Sequence, residues 1–95
     1  MGSLAAPLSD YVPPSVAYAP SKTALNAITV QYAKHLAGTG ILVNAACPGW
    51  CATDFTGHRP DRTAAQGAEV IVRLATLDAD GPTGAFFDDD GPVPW

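Results

Sequence analysis

Tyr18 and Lys22 stand four residues apart, and on a helix that spacing brings two side chains to one face with Cβ atoms about 5–6 Å apart. A phenol with an unperturbed pKa of about 10 is a poor base near neutrality, but an adjacent ammonium stabilises the phenolate. Such a pair can exchange a proton with an alcohol or a carbonyl. Tyr and Lys at this spacing also occur in many helices as a packed ring and a solvated amine, so the chemistry depends on its surroundings. A second candidate is a metal site from Cys47, Cys51, Asp54 and His58, whose spacing matches no familiar zinc pattern. The run Asp88-Asp89-Asp90 reads as a solvated turn rather than a metal site.

The elements that would position these residues can be read from periodicity. Residues 1–15 carry three prolines, a glycine and small polar residues with no period, and read as loop. From Val16 to Ala37, the residues Ala17, Ala24, Leu25, Ala27, Ile28, Tyr32 and Leu36 recur near helical spacing, and Gly38 and Gly40 supply the stop. Ser15 suits the N-cap and Pro20 falls near the start, where its missing N–H is tolerated. Ile41–Cys47 is a short apolar run closed by Pro48 and Gly49, which predicts a strand buried on both faces of a parallel sheet. Residues 48–62 form a long loop of the kind that carries function. Thr63 with Gln66 has the form of a capping box, opening a helix over Thr63–Leu77 that Gly67 weakens slightly. Thr83–Phe87 reads as a second short strand and DDDGPVPW as a tail. Residues 41–95 are therefore a βαβ unit with a tail, preceded by one helix. Ligands in such units sit at the carboxyl ends of the strands, where the Pro48 loop falls.

Composition narrows the function classes. The 95 residues are 47% hydrophobic and only 15% charged, a chain with apolar surface to bury and no disordered character despite nine prolines and nine glycines. A net charge of −4 with five scattered basic residues argues against nucleic-acid binding. Two cysteines four apart, no targeting pattern and no apolar run of roughly 20 residues point to reduced thiols, no membrane span and a cytoplasmic location.

The segment Tyr18-Ala-Pro-Ser-Lys22, then Thr-Ala-Leu-Asn26, the strand Ile41–Cys47, Pro48-Gly49-Trp-Cys-Ala-Thr53 and the ending Gly81-Pro-Thr-Gly-Ala-Phe-Phe-Asp-Asp-Asp-Gly91 together resemble the short-chain dehydrogenase/reductase family over essentially the whole chain. The resemblance implies the C-terminal part of a Rossmann-like doubly wound parallel sheet, with residues 16–37 as the catalytic helix. It implies an NAD- or NADP-dependent oxidoreductase interconverting alcohols and carbonyls by hydride transfer. Tyr18 would be the catalytic acid/base, and Lys22 would hold the nicotinamide ribose hydroxyls and tune the tyrosine. Pro48, Gly49, Cys51 (through its backbone) and Thr53 would wrap the nicotinamide end of the cofactor. The physics agrees, since Gly lets a backbone approach a flat ring and a Thr hydroxyl can hydrogen-bond a carboxamide or phosphate oxygen. Trp50, Phe55 and His58 are candidates for lining the substrate pocket, with packed aromatics and a solvated histidine as the equal alternative, and the 16–37 helix would join a homo-oligomer. No metal is implied.

Three family features have no counterpart here: the G-x-x-x-G-x-G phosphate turn, the Asn-Asn-Ala-Gly segment and the helix bearing a proton-relay asparagine. The offset of the family's catalytic serine lands on Ala5 and Ala6, with Ser3 and Ser9 flanking it, and that residue stays unassigned. The expectation is a partial oxidoreductase chain, with Met1 an internal start or fragment edge, that is inactive alone. The alternative is a non-catalytic interaction module reusing the long helix.

Overall fold

The computed structural model describes residues 15–59 and 61–95. The loop expected over residues 1–14, and with it Ser3, Ala5, Ala6 and Ser9, lies outside the described residues. The described chain has two helices, α1 (Tyr18–His35) and α2 (Ala64–Ala75), and three strands, β1 (Ala45–Ala46), β2 (Phe86–Asp88) and β3 (Gly91–Val93), with a 3-10 turn at Asp54–Thr56.

Helix α1 starts where Ser15 Oγ accepts the backbone N–H of Tyr18 at 2.9 Å; the N-cap position expected for Ser15 falls instead to Ala17, and the hydroxyl supplies a terminal partner from two residues further back. Pro20 sits inside the first turn. The helix is shorter than the expected Val16–Ala37 by two residues at each end. Val16 is 100% exposed and has nothing to pack against. At the other end, Thr39 N–H donates to Leu36 O at 3.1 Å, and Gly38 and Gly40 adopt φ of 78° and 81°. Lys34 and His35 occupy the last turn, where positive charge complements the carbonyl end.

Which face of α1 is inside differs from the apolar periodicity. The buried residues are Ala19, Asn26, Thr29 and Ala33, whereas Leu25, Ile28 and Tyr32 are exposed. Small residues win because the chain approaches closely on that side: a Cβ placed on Gly84 would stand 3.1 Å from Ala33 Cβ. Thr29 is accommodated by donating its hydroxyl to Leu25 O at 2.9 Å. The larger apolar side chains are left facing outward.

The pairing of β1 with β2 is parallel, with Ala45 opposite Phe86 and Ala46 opposite Phe87, and α2 forms the crossover expected of a βαβ unit. Backbone bonds extend the pairing beyond the two regular residues: Gly84 N–H to Val43 O at 2.7 Å, Ala45 N–H to Ala85 O at 2.9 Å and Cys47 N–H to Phe87 O at 2.8 Å. Regular strand over the full Ile41–Cys47 run is prevented by side chains that take backbone places. Thr83 Oγ1 accepts from Val43 N–H at 3.0 Å. The Asn44 amide accepts from Ala85 N–H at 3.1 Å and donates to Pro82 O at 2.8 Å. Asn44, the one polar interruption of the run, thus welds the start of β1 to the turn before β2. The expectation of burial on both faces is corrected: Ile41 is exposed and Leu42–Cys47 are half-buried, because β1 is an edge strand in the order β1-β2-β3 among the described residues.

The third strand was not expected. β3 pairs antiparallel with β2, Phe86 opposite Val93 and Asp88 opposite Gly91. Asp88 builds the connecting turn by accepting from Asp90 N–H at 2.9 Å and Gly91 N–H at 3.2 Å with the same carboxylate oxygen. The hairpin carries Trp95 onto buried Phe86, ring centroids 5.9 Å apart.

Helix α2 begins as read: Thr63 Oγ1 accepts from Gln66 N–H at 3.1 Å and Gln66 Oε1 accepts from Thr63 N–H at 2.8 Å, which satisfies two terminal donors reciprocally. Its inward residues are Val70 and Gly67. No helix among the described residues is long and apolar enough to cross a membrane.

Gly67 is a packing requirement rather than a weakness. A Cβ there would overlap Cys51 Sγ and stand 3.2 Å from Pro48 O. Overpacking of this kind costs about 1–3 kcal/mol, against a helix-propensity gain of at most about 1 kcal/mol. Gly67→Ala is expected to lower the thermal unfolding midpoint followed by circular dichroism, and an unchanged or raised midpoint would show that the Pro48 loop is not seated on α2.

Candidate active site

The pair that opened the sequence reading is brought together. Tyr18 begins α1 and is 41% exposed. Lys22, one turn later and half-buried, holds its Nζ 5.5 Å from the centroid of the Tyr18 ring, within the range of a cation–π contact. The first turn is tightened by Ser21 Oγ donating to Tyr18 O at 2.7 Å and Thr23 Oγ1 donating to Ala19 O at 3.1 Å. Both candidate side chains therefore start from a firmly built helix end.

The second group, Pro48, Gly49, Cys51 and Thr53, lies in one loop at the carboxyl end of β1. Gly49 adopts φ 72°, a conformation that a side chain disfavours. Cys51 Sγ lies 3.5 Å from Pro48 O and against Gly67, while the Cys51 carbonyl accepts from Thr56 Oγ1 at 2.5 Å. Thr56 Oγ1 also accepts from Thr53 N–H at 3.1 Å, so one hydroxyl ties both ends of the Cys51–Thr53 segment. The 3-10 turn Asp54–Thr56 that follows adds regular structure to a stretch expected to have none. Among the described residues no hydrogen bond joins Tyr18 or Lys22 to this loop.

The aromatic candidates are on the outside. Phe55 is 87% exposed, and Trp50 is exposed with it. His58 has φ 59°, an uncommon conformation for a non-glycine residue, and its Nε2 lies 2.8 Å from Asp54 Oδ1. Asp54 and His58 thus engage each other, Cys47 and Cys51 form no disulfide, and no group of three or more His, Cys, Asp or Glu side chains among the described residues could hold a metal ion.

One residue of the site was missed. Arg62, two positions before α2, donates from Nε to Pro48 O at 2.8 Å and from Nη2 to Gln66 O at 3.1 Å, and it pairs with the Asp89 carboxylate. Its carbonyl accepts from Ala52 N–H at 2.7 Å. The hydrogen bond that Arg62 donates to the Asp89 carboxylate raises the Arg62 pKa above its ordinary value, against the opposing effect of desolvation. A single arginine before a cap carries no signal of its own in the sequence, and its partner Asp89 stood in a run read as solvated.

Comparison with known proteins bears directly on this arrangement. The pattern of the family described as Enoyl-(Acyl carrier protein) reductase matches residues 3–78. Carbonyl reductase (NADPH) 1 of Oryctolagus cuniculus is 40% identical over 88 residues, which cover 86% of this chain and 32% of that protein. The Homo sapiens protein of the same name is 38% identical over 88 residues, with the same coverage. The (-)-isopiperitenone reductase of Mentha piperita is 42% identical over 82 residues, 86% of this chain and 26% of that protein. The chain thus spans about a third or less of the length of the curated relatives it matches. With four-fifths of its residues inside the family pattern and its Tyr18–Lys22 helix and Pro48 loop carried on a parallel βαβ unit, the chain belongs to the short-chain dehydrogenase/reductase family.

Proposed function

We propose that this chain is the acid/base and nicotinamide-facing portion of an NADPH-dependent carbonyl reductase, the C-terminal part of a Rossmann-like domain. The observation that carries the reading is the Lys22 ammonium held 5.5 Å from the Tyr18 ring at the start of α1. The choice of NADPH over NADH rests on the names of the carbonyl reductase relatives. When bound, the cofactor supplies the hydride. Tyr18 exchanges the proton with the substrate oxygen, and Lys22 both holds the ribose hydroxyls and places positive charge beside the phenol. Pro48, Gly49, Cys51 and Thr53 form the wall against the nicotinamide end. That assignment fits a loop that Gly49 turns through a left-handed conformation at the carboxyl end of a parallel strand. Trp50, Phe55 and His58, exposed on the same loop, line the path of a small alcohol or carbonyl substrate.

Leu25, Ile28 and Tyr32 form an outward apolar stripe on α1 at positions i, i+3 and i+7. This stripe supports association of two copies through the 16–37 helix. It equally favours a second reading, in which the chain serves as an interaction module and performs no chemistry.

The pyrophosphate end of a dinucleotide finds no glycine-rich turn in these 95 residues, so the contacts that orient the cofactor are largely missing from this chain. The chain alone is expected to reduce no carbonyl and to bind NADPH or NADH with no useful affinity, and to gain stability by association. Fluorescence titration with both cofactors, solution mass and thermal unfolding check this. Micromolar cofactor binding by a cooperatively folded monomer would overturn it.

The acid/base assignment is tested in a hybrid in which this chain replaces the matching segment of the rabbit carbonyl reductase. Tyr18→Phe should lower kcat by about 10²–10⁴-fold, the usual worth of a positioned acid/base, with NADPH affinity nearly unchanged. Lys22→Ala should damage both. A Tyr18→Phe hybrid that turns over normally would support the interaction-module reading instead.

A further inference from the structure

We infer that Arg62 is a positioning residue: locked in place by Asp89, it fixes where the Pro48–Gly49 turn stands relative to α2, and on the reading proposed above it thereby sets the wall that meets the cofactor. The geometry is that of a three-way latch. Nε reaches the loop at Pro48 O, 2.8 Å away. Nη2 reaches the first turn of α2 at Gln66 O, 3.1 Å away, and the β2–β3 turn at the Asp89 carboxylate. Its backbone carbonyl takes the Ala52 N–H at 2.7 Å, so main chain and side chain grip the same loop from two sides.

The latch has a fixed base. Arg73, on α2, donates to Asp88 O at 2.5 Å and Asp89 O at 3.2 Å, so the turn carrying Asp89 is already tied to the helix when Arg62 meets it. The fit to the loop is close as well. A Cβ on Gly49 would stand 3.3 Å from Arg62 Nε, so the guanidinium covers the bare side of the turn. The Arg62 side chain is 29% exposed and that of Asp89 39%.

An isolated surface ion pair at such exposure contributes little. What distinguishes this one is that a single planar group satisfies three elements in three directions. A guanidinium has the donors and the rigid fork for that, whereas an ammonium on a flexible stem is a point charge. Lysine at this position would keep the charge opposite Asp89 and lose the simultaneous hold on Pro48 and Gln66.

Cys51 reports the latch directly, because its Sγ lies 3.5 Å from Pro48 O and against Gly67, while Cys47, just after β1 and bonded through its N–H to Phe87 O, serves as the control for global opening. Maleimide labelling of the full 95-residue chain, resolved by peptide mass mapping, gives both rates in one experiment. In the native chain Cys51 should label more slowly than in denaturant. Arg62→Ala and Asp89→Ala should each speed Cys51 labelling by about tenfold, the scale of losing charge-assisted hydrogen bonds, with Cys47 changed by less than about twofold. Arg62→Lys should keep the Cys47 rate and fail to restore the slow Cys51 rate. The inference is overturned if Cys51 is unprotected in the native chain, if neither alanine variant changes it, if Lys fully restores it, or if Cys47 accelerates in proportion in both. Asp89→Ala decides the matter if Arg62→Ala does not fold.

The link to the proposed chemistry has its own readout in the rabbit hybrid, where Arg62→Ala should raise KM for NADPH by more than it lowers kcat. Equal KM values in the native and Arg62→Ala hybrids overturn the role in cofactor presentation. A native hybrid that reduces no carbonyl counts against the functional reading, and the labelling rates still judge the latch.

Discussion

The seat of the Pro48 loop on helix α2 is the constraint on which the rest of the described structure depends. Residue 67 must lack a side chain for Cys51 Sγ and Pro48 O to lie where they do. With that contact made, β1 ends at a fixed point over the start of α2. The crossover then returns the chain to β2 in parallel register. The hairpin to β3 places Asp89 beside Arg62 and Trp95 on Phe86. Each of these steps is a short-range consequence of the one before it. A contact this close leaves no room to absorb a displacement, which is why a change at Gly67 should be felt at Pro48, and one at Asp89 should reach it through Arg62.

Helix α1 obeys a different constraint. Its inward face is made of Ala19, Asn26, Thr29 and Ala33 and its outward face of Leu25, Ile28 and Tyr32. Small residues allow backbones to approach closely, and the gain there is contact rather than buried area. The buried Asn26 amide has no hydrogen-bond partner among the described residues, an arrangement that costs free energy where it persists. An outward apolar stripe and an unsatisfied inward amide together make α1 the helix least satisfied by the described residues.

Much of this was legible in the sequence because the determinants are local. The capping box at Thr63 and Gln66, the Ser15 oxygen ahead of α1, the Tyr18–Lys22 spacing and the glycines ending the helix each involve residues within four or five positions, and all appear where the residue types place them. What was not legible is non-local. The β3 strand is created by a carboxylate turn at Asp88 and by the stacking of Trp95 on Phe86, and a tail rich in Asp and Pro carries no strand periodicity. Arg62 draws its importance from Pro48 and Asp89, 14 and 27 residues away. The orientation of α1 is non-local for the same reason: periodicity identifies two faces of a helix, but only the shape of the neighbour decides which is inside.

The same distinction bears on how the proposed chemistry divides along the chain. An acid/base pair at i and i+4 needs one helical turn to hold it, and here the turn is reinforced by Ser15, Ser21 and Thr23. It can therefore be assembled by a short segment. Orienting a cofactor is a different task, because its worth lies in fixing a reacting atom against the pair to within about an ångström. That requires a wall held from several directions at once. On the proposed reading the wall is the Pro48–Thr53 loop, which is tied to α2, to the β2–β3 turn and to the guanidinium that joins them. If the proposed roles hold, proton transfer is encoded locally and cofactor orientation through distant contacts, so substitutions far from Tyr18 should act first on how the cofactor is presented and only through that on the proton.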